Sequence, residues 1–151
     1  MADRDLIGIE IDHVEFPVEA GKIREFAVAV GDPDPIYLSV AAAQAAGHPA
    51  IPAPPTFSVV AGHWRDQSAM VARLGLELGR IVVGEVQWEY HAPVYGGDRL
   101  SGTRIVRDVT ERAGRRGGTM TMITVETELR NQRGELAVRQ RDLIIETGVV
   151  S

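Results

Sequence analysis

The chain has 151 residues, 44% hydrophobic and 25% charged, which fits one domain with a buried core. A formal net charge of −5 argues against duplex DNA, which calls for a concentrated positive face, and the absence of Cys removes disulfides, thiol nucleophiles and Cys-ligated zinc. No apolar run approaches the roughly 18 residues of a membrane span, and the acidic start MADRDLIGIEID lacks the basic-then-apolar layout of a signal peptide, so we place the protein in the cytoplasm.

Taken in chain order, Ile23, Phe26, Ala27 and Val30 recur at the spacing of one helical face and predict a helix over 21–31. Gly31 is placed to end it, and Pro33 and Pro35 prevent its continuation. SVAAAQAA predicts a second, short helix capped by Ser39 and stopped by Gly47, and the Pro-stiffened loop HPAIPAPP follows. Pro55 suits the first turn of a third helix running through TFSVVAGHWRDQSAMVARL. Its first half is apolar and predicted to be buried, whereas Arg65, Asp66, Gln67 and Arg73 predict that its second half reaches water.

Beyond Gly79 the period changes to two. In IVVGEVQWEYHAP, Val82, Val86, Trp88 and Tyr90 fall on one side, with Glu85, Gln87 and Glu89 on the other. RLSGTRIVRDVTE, TMTMITVETELR and ELAVRQRDLIIET are further strands, the last two joined by the turn NQRG. In ERAGRRGG, residues Arg112, Arg115 and Arg116 read either as a solvated hairpin turn or as a contact to an anionic ligand phosphate. Four long strands after a helical half imply one α+β domain over 1–151, an antiparallel sheet wrapped against one buried helix. Its open edges invite pairing with a second chain, and we expect a homo- or heterodimer.

Residue by residue, Asp32 reads either as a turn-forming carboxylate that accepts backbone N–H bonds or as an acid that contacts ligand. Tyr37 reads as a core aromatic with a satisfied hydroxyl or as an acid. His48 is a loop residue after a Gly cap or a base that swings toward ligand. His63, beside Trp64 on the third helix, reads as a hydrogen-bonded core or interface residue, His91 as structural, and His13 carries no signal. The turn YGGD, with Gly96, Gly97 and Asp98, is structural. The four His show no metal-ligand spacing, and no phosphate-cradling Gly-rich motif is present, so neither a metal nor another cofactor is expected.

The segments KIREFAVAVGDPDPIY, AAGHPAIPAPPTF and VGEVQWEYHAPVYGGDRLSGTRIV, from about Phe16 onward, resemble the N-terminal MaoC-type dehydratase domain, a hot-dog fold of (3R)-hydroxyacyl-thioester dehydratases and enoyl-CoA hydratases. The resemblance implies an acyl-thioester substrate, carried on CoA or on a carrier protein. In competent relatives the loop reads Gly-Asp-x-Asn-Pro-aliphatic-His, and Asp and His move the protons. Here Asp32 matches the Asp, Asp34 stands where Asn is usual, and Tyr37 occupies the His position. A phenol with an ordinary pKa near 10 is a poor base at pH 7. Relatives also open the buried helix with a Gly whose N–H donates to the thioester oxygen. That Gly falls at or beside Pro55, which has no N–H, so the N–H of Thr56 or Phe57 is left to substitute.

The resemblance thus implies the substrate-binding subunit of a heterodimeric dehydratase with a degenerate catalytic loop, working beside a catalytic MaoC-like subunit. Two alternatives stand beside it. One is a self-sufficient hydratase using Asp32 with Tyr37 or His48; the other is a non-catalytic acyl-thioester-binding or dimerisation module. Hydrolysis of the thioester ranks below these.

Overall fold

The structure, a computed structural model, describes residues 3–114 and 117–148. Five strands form one antiparallel sheet in the order β1-β3-β4-β5-β2. They are β1 (Glu10–Pro17), β2 (Ile81–Tyr90), β3 (Arg99–Ala113), β4 (Thr119–Arg130) and β5 (Leu136–Glu146). The last four are the strands the alternation predicts, and β1 is an addition. Between β1 and β2 lie α1 (Ala20–Ala29), α2 (Pro35–Leu38), α3 (Val40–Ala45), a 3-10 helix (Phe57–Trp64) and α4 (Gln67–Arg73). α2 is a further addition: Asp34 caps it by accepting the Ile36 N–H at 3.0 Å, with Pro35 in its first turn.

The third helix is in two pieces. Residues 57–64 wind as a 3-10 helix, Arg65 is extended at φ −111° and ψ 145°, and Asp66 starts α4 by accepting the Ala69 N–H at 2.9 Å. The cause is the destination of Arg65. Instead of reaching water, its side chain is 6% exposed and turned into the sheet, where Nη2 donates to Thr127 at 3.1 Å and Nε lies 3.7 Å from Asp12. A continuous helix would have to give up that position or its own ladder. His63 is also exposed rather than buried within this chain.

Arg65 meets a polar row that crosses the sheet in register. Asp12 on β1 pairs with Arg104 on β3, Arg104 with Thr127 on β4, Thr127 with Gln140 on β5, and Gln140 with Trp88 on β2. Arg104, 4% exposed, is bonded to Asp12 and donates to Gln67 at 3.4 Å. At the other end Ser58 donates to Gln140 at 2.9 Å and accepts the Trp88 indole N–H at 3.0 Å. The row divides the core. On one side Phe16, Leu100, Leu129 and Val138 pack beneath Phe57, Val60 and Ala61. On the other, Val106, Val109, Ile123, Val125 and Ile144 pack beneath Met70, Val71 and Leu74 of α4.

On the opposite face, Glu126 accepts from Arg107 at 3.0 Å and from Arg141 at 2.6 Å, and Glu128 accepts from Arg139 at 2.7 Å and Arg130 at 2.9 Å. Burial alone would raise the Glu126 carboxyl, but the two guanidinium bonds outweigh it and hold it below the usual range. The Arg139 bond does the same for Glu128 against a smaller burial effect.

β2 departs from simple alternation. A bulge between Val83 and Glu85 shifts its register, so Val83, not Val82, shares the inner face with Val86, Trp88 and Tyr90. Gly84 sits in that bulge, where an added Cβ would lie 2.5 Å from the Ile145 Cδ1 and that terminal methyl would have to move aside. The NQRG turn closes as expected, with Gly134 at φ +79°. Arg112 is exposed, and Arg115 and Arg116 lie outside the described residues.

Two outcomes are expected. Asp12→Asn leaves Arg65 and Arg104 facing each other without the carboxylate that pairs with both and lowers urea-measured stability by roughly 3 kcal/mol, the lower end for a broken buried pair because Asp12 keeps some exposure. Because the Glu126 and Glu128 values are lowered, their stabilisation is complete above the unfolded carboxylate value and is lost as the pH falls through the folded values, a window below about pH 4.5. Urea midpoints measured from pH 7 to pH 3 should fall in that window, and less steeply in Glu126→Gln.

Candidate functional site

The GDPDP loop begins where α1 ends. Gly31, at φ +75°, donates to the Val28 carbonyl at 3.1 Å, and Asp32 N–H donates to the Ala27 carbonyl at 2.9 Å. This double closure satisfies the last carbonyls of α1 and throws the chain into Pro33. The turn-forming carboxylate is Asp34, which caps α2. The half-buried Asp32 carboxylate, by contrast, has no hydrogen-bond partner among the described residues. One turn of α2 carries Tyr37 back over the loop, where its ring packs against the core. Its hydroxyl is pushed above 10, first by burial and then by the negative charges of Asp32 and Asp34. Tyr37 and Asp32 therefore share one environment, and the phenol stays protonated throughout the neutral range.

His48 is not part of it. α3 ends by the same double closure, with Gly47 at φ +90° donating to Gln44 and His48 N–H to Ala43, and the imidazole leans on Tyr95, with Nδ1 3.4 Å from its hydroxyl. Tyr95 belongs to the YGGD turn, which Asp98 closes by accepting the Tyr95 N–H at 2.9 Å while Gln132 donates to its other oxygen. His48 thus serves that corner.

Pro55 and Phe57 line a cavity of about 390 Å³, and Thr56 lies between them in the chain without lining it. Pro54, Phe57, Pro93, Val94, Leu100 and Val138 supply apolar wall, and Ser58, Tyr90 and His91 its polar positions. Such a volume and lining suit an elongated apolar ligand. Asp32, Tyr37 and His48 are not among the lining residues. The helix opens later than the sequence suggests: Pro55 precedes it, and Thr56 is its cap, in the left-handed region at φ +66°. No other non-Gly residue among those described has positive φ.

The two candidate oxyanion donors are both engaged. Phe57 N–H donates to the Pro54 carbonyl at 3.2 Å, and Thr56 N–H donates to the Tyr90 hydroxyl at 2.9 Å. Among the cavity's polar positions, Tyr90 and His91 were read from the sequence only as a strand-face and a structural residue. His91 holds Nε2 3.0 Å from the Glu89 carboxylate. Their only signal was position, at the end of an alternating strand and just before Pro93.

Residues 5–140 match the pattern that describes the FAS1-like dehydratase domain region. The chain belongs to this family. It is 34% identical over 149 residues to a UPF0336 protein of Saccharopolyspora erythraea, covering 97% of this chain and 92% of the relative. Among solved structures it resembles the HadBC (3R-hydroxyacyl-ACP dehydratase) complex of Mycobacterium tuberculosis, with TM-score 0.72, 26% identity, and 96% and 99% of the two chains covered. It superposes equally well on the ChsH1-ChsH2 complex of the same organism, with TM-score 0.72, 23% identity, and 93% and 85% covered. The MaoC-type resemblance and the hot-dog fold both hold.

The strain at Thr56 yields a test. A β-branched residue held at φ +66° costs about 1 kcal/mol or more, so Thr56→Gly, which keeps the N–H, should raise stability by about that amount. A thermal melt several degrees higher than wild type would register it.

Proposed function

We propose that this chain is the acyl-thioester-binding subunit of a (3R)-hydroxyacyl-thioester dehydratase or enoyl-thioester hydratase, and that a second MaoC-like chain supplies the proton transfer. The observation that carries the reading is Tyr37. Hydration puts hydroxyl on C3 and a proton on C2, and dehydration removes both as water. Either direction calls for a group that accepts a proton near neutral pH and returns it. A phenol raised above its ordinary value by burial and two carboxylates does neither.

The cavity supports the binding half of this reading. The cavity beside Phe57 and Val138 offers apolar surface for an acyl chain. β2 is an outer strand with Val82 50% and Val83 64% exposed, which supports pairing with another chain along that edge. HadBC and ChsH1-ChsH2 are themselves complexes.

One observation favours the self-sufficient reading: the Asp32 carboxylate is left without a hydrogen-bond partner, as a base would be. The two readings separate cleanly. Purified chain incubated with trans-2-enoyl-CoA of several lengths should leave the conjugated-enoyl absorbance nearly unchanged, at least about 100-fold below the rate reached with a MaoC-like partner that keeps Asp and His. Rapid hydration by the chain alone, abolished in Asp32→Asn, would reverse the assignment. Binding without turnover, even beside such a partner, would make it a binding module.

A further inference from the structure

Resting on the acyl-thioester reading, we infer that the Tyr90 hydroxyl, polarised from behind by the Thr56 amide, is the group that hydrogen-bonds the thioester carbonyl in the cavity. The inference comes from accounting for every donor on the Pro54–Phe57 wall. Ala53 N–H donates to the Val94 carbonyl at 2.8 Å, Pro54 and Pro55 have no N–H, and Phe57 N–H is taken by Pro54. Thr56 N–H is therefore the wall's one remaining backbone donor, and the Tyr90 oxygen accepts it at 2.9 Å.

That bond sets the direction of the next one. A phenol oxygen that accepts from an amide still carries its own hydrogen, and no described residue accepts it. Accepting one hydrogen bond strengthens the phenol as a donor to another. The cavity's other hydroxyl cannot compete, because Ser58 already gives its hydrogen to Gln140 and accepts from Trp88. His91 directs Nε2 at Glu89. Tyr90 is 55% exposed and lines the cavity, so a ligand reaches it without displacing protein.

The left-handed turn at Thr56 acquires a purpose: it aims the amide at the phenol at the cost of backbone strain. The ligand class follows. It is a chain with an apolar tail for the cavity and a carbonyl acceptor at its mouth.

The test compares hexanoyl-CoA with its thioether analogue hexyl-CoA, which lacks only the carbonyl oxygen, on the full chain in the oligomeric state in which it purifies. Wild type should bind the thioester about tenfold more tightly than the thioether, and Tyr90→Phe should remove that preference while leaving thioether affinity unchanged. Replacing Tyr90 alone by 3-fluorotyrosine, a stronger donor of nearly the same shape, should enlarge the preference, and it covers the case in which Tyr90→Phe fails to fold.

Equal binding of the two ligands by wild type overturns the role of Tyr90 and leaves the acyl-binding reading standing. A preference that grows in Tyr90→Phe also overturns it, because the freed Thr56 amide would then be the donor and the phenol a plug. If wild type binds neither ligand, the acyl-thioester reading falls and takes this one with it.

Discussion

Arg65 reaching down between Asp12 and Thr127 is the contact on which the rest of the molecule depends. A guanidinium is stripped of water at the centre of the sheet, and every neighbouring group is arranged around that fact. Burial and the facing Arg104 both work against its charge, while Asp12 and Asp142 support it. The segment above the sheet breaks so that Arg65 can descend. Ser58 pins the other end of the same segment to Gln140. With both ends held by one row, the 3-10 stretch lies across the sheet at a fixed position. The apolar core is then two pools instead of one, and the cavity opens on the pool beneath Phe57.

Such a row adds little net stability, since an apolar replacement of a buried ion pair is often as good. Its effect is on register. Sliding any strand by one residue would bury Asp12, Arg104 or Gln140 against hydrocarbon, or expose their partners to water. Asp12 Oδ1, Arg65 Nε and Arg104 Nε remain without hydrogen bonds even in the native arrangement, which shows how closely the charges are confined.

The same row explains what the sequence could and could not reveal. β3 and β4 were legible because their inward positions are mostly Val, Leu and Ile. β1 was not, because its inward positions read Asp12, Val14 and Phe16, and a bulge next to Asp12 breaks the period. The 57–73 segment looks helical by composition, and only the tertiary demand for Arg65 interrupts it. At the candidate site, Asp32, Tyr37 and the Pro55–Phe57 turn were visible through motif resemblance. Tyr90 was not, because its meeting with Thr56 spans 34 residues and depends on a register that the Gly84 bulge alters. For His48 the sequence offered a loop residue after a Gly cap or a mobile base, and the structure places it at the α3 end against Tyr95.

The polar row also orders the events of folding. Arg104 and Asp12 are 92 residues apart in sequence, and β1 joins the sheet only through β3. Loop closure over such a distance is entropically slow, so the hairpins β3–β4 and β4–β5, whose partners are near neighbours in the chain, offer the earlier nuclei. Until β1 arrives, Arg104 keeps its water and the first core pool lacks Val14 and Phe16. Desolvation of the guanidinium pair is thus deferred to the closing step, when a carboxylate comes with it.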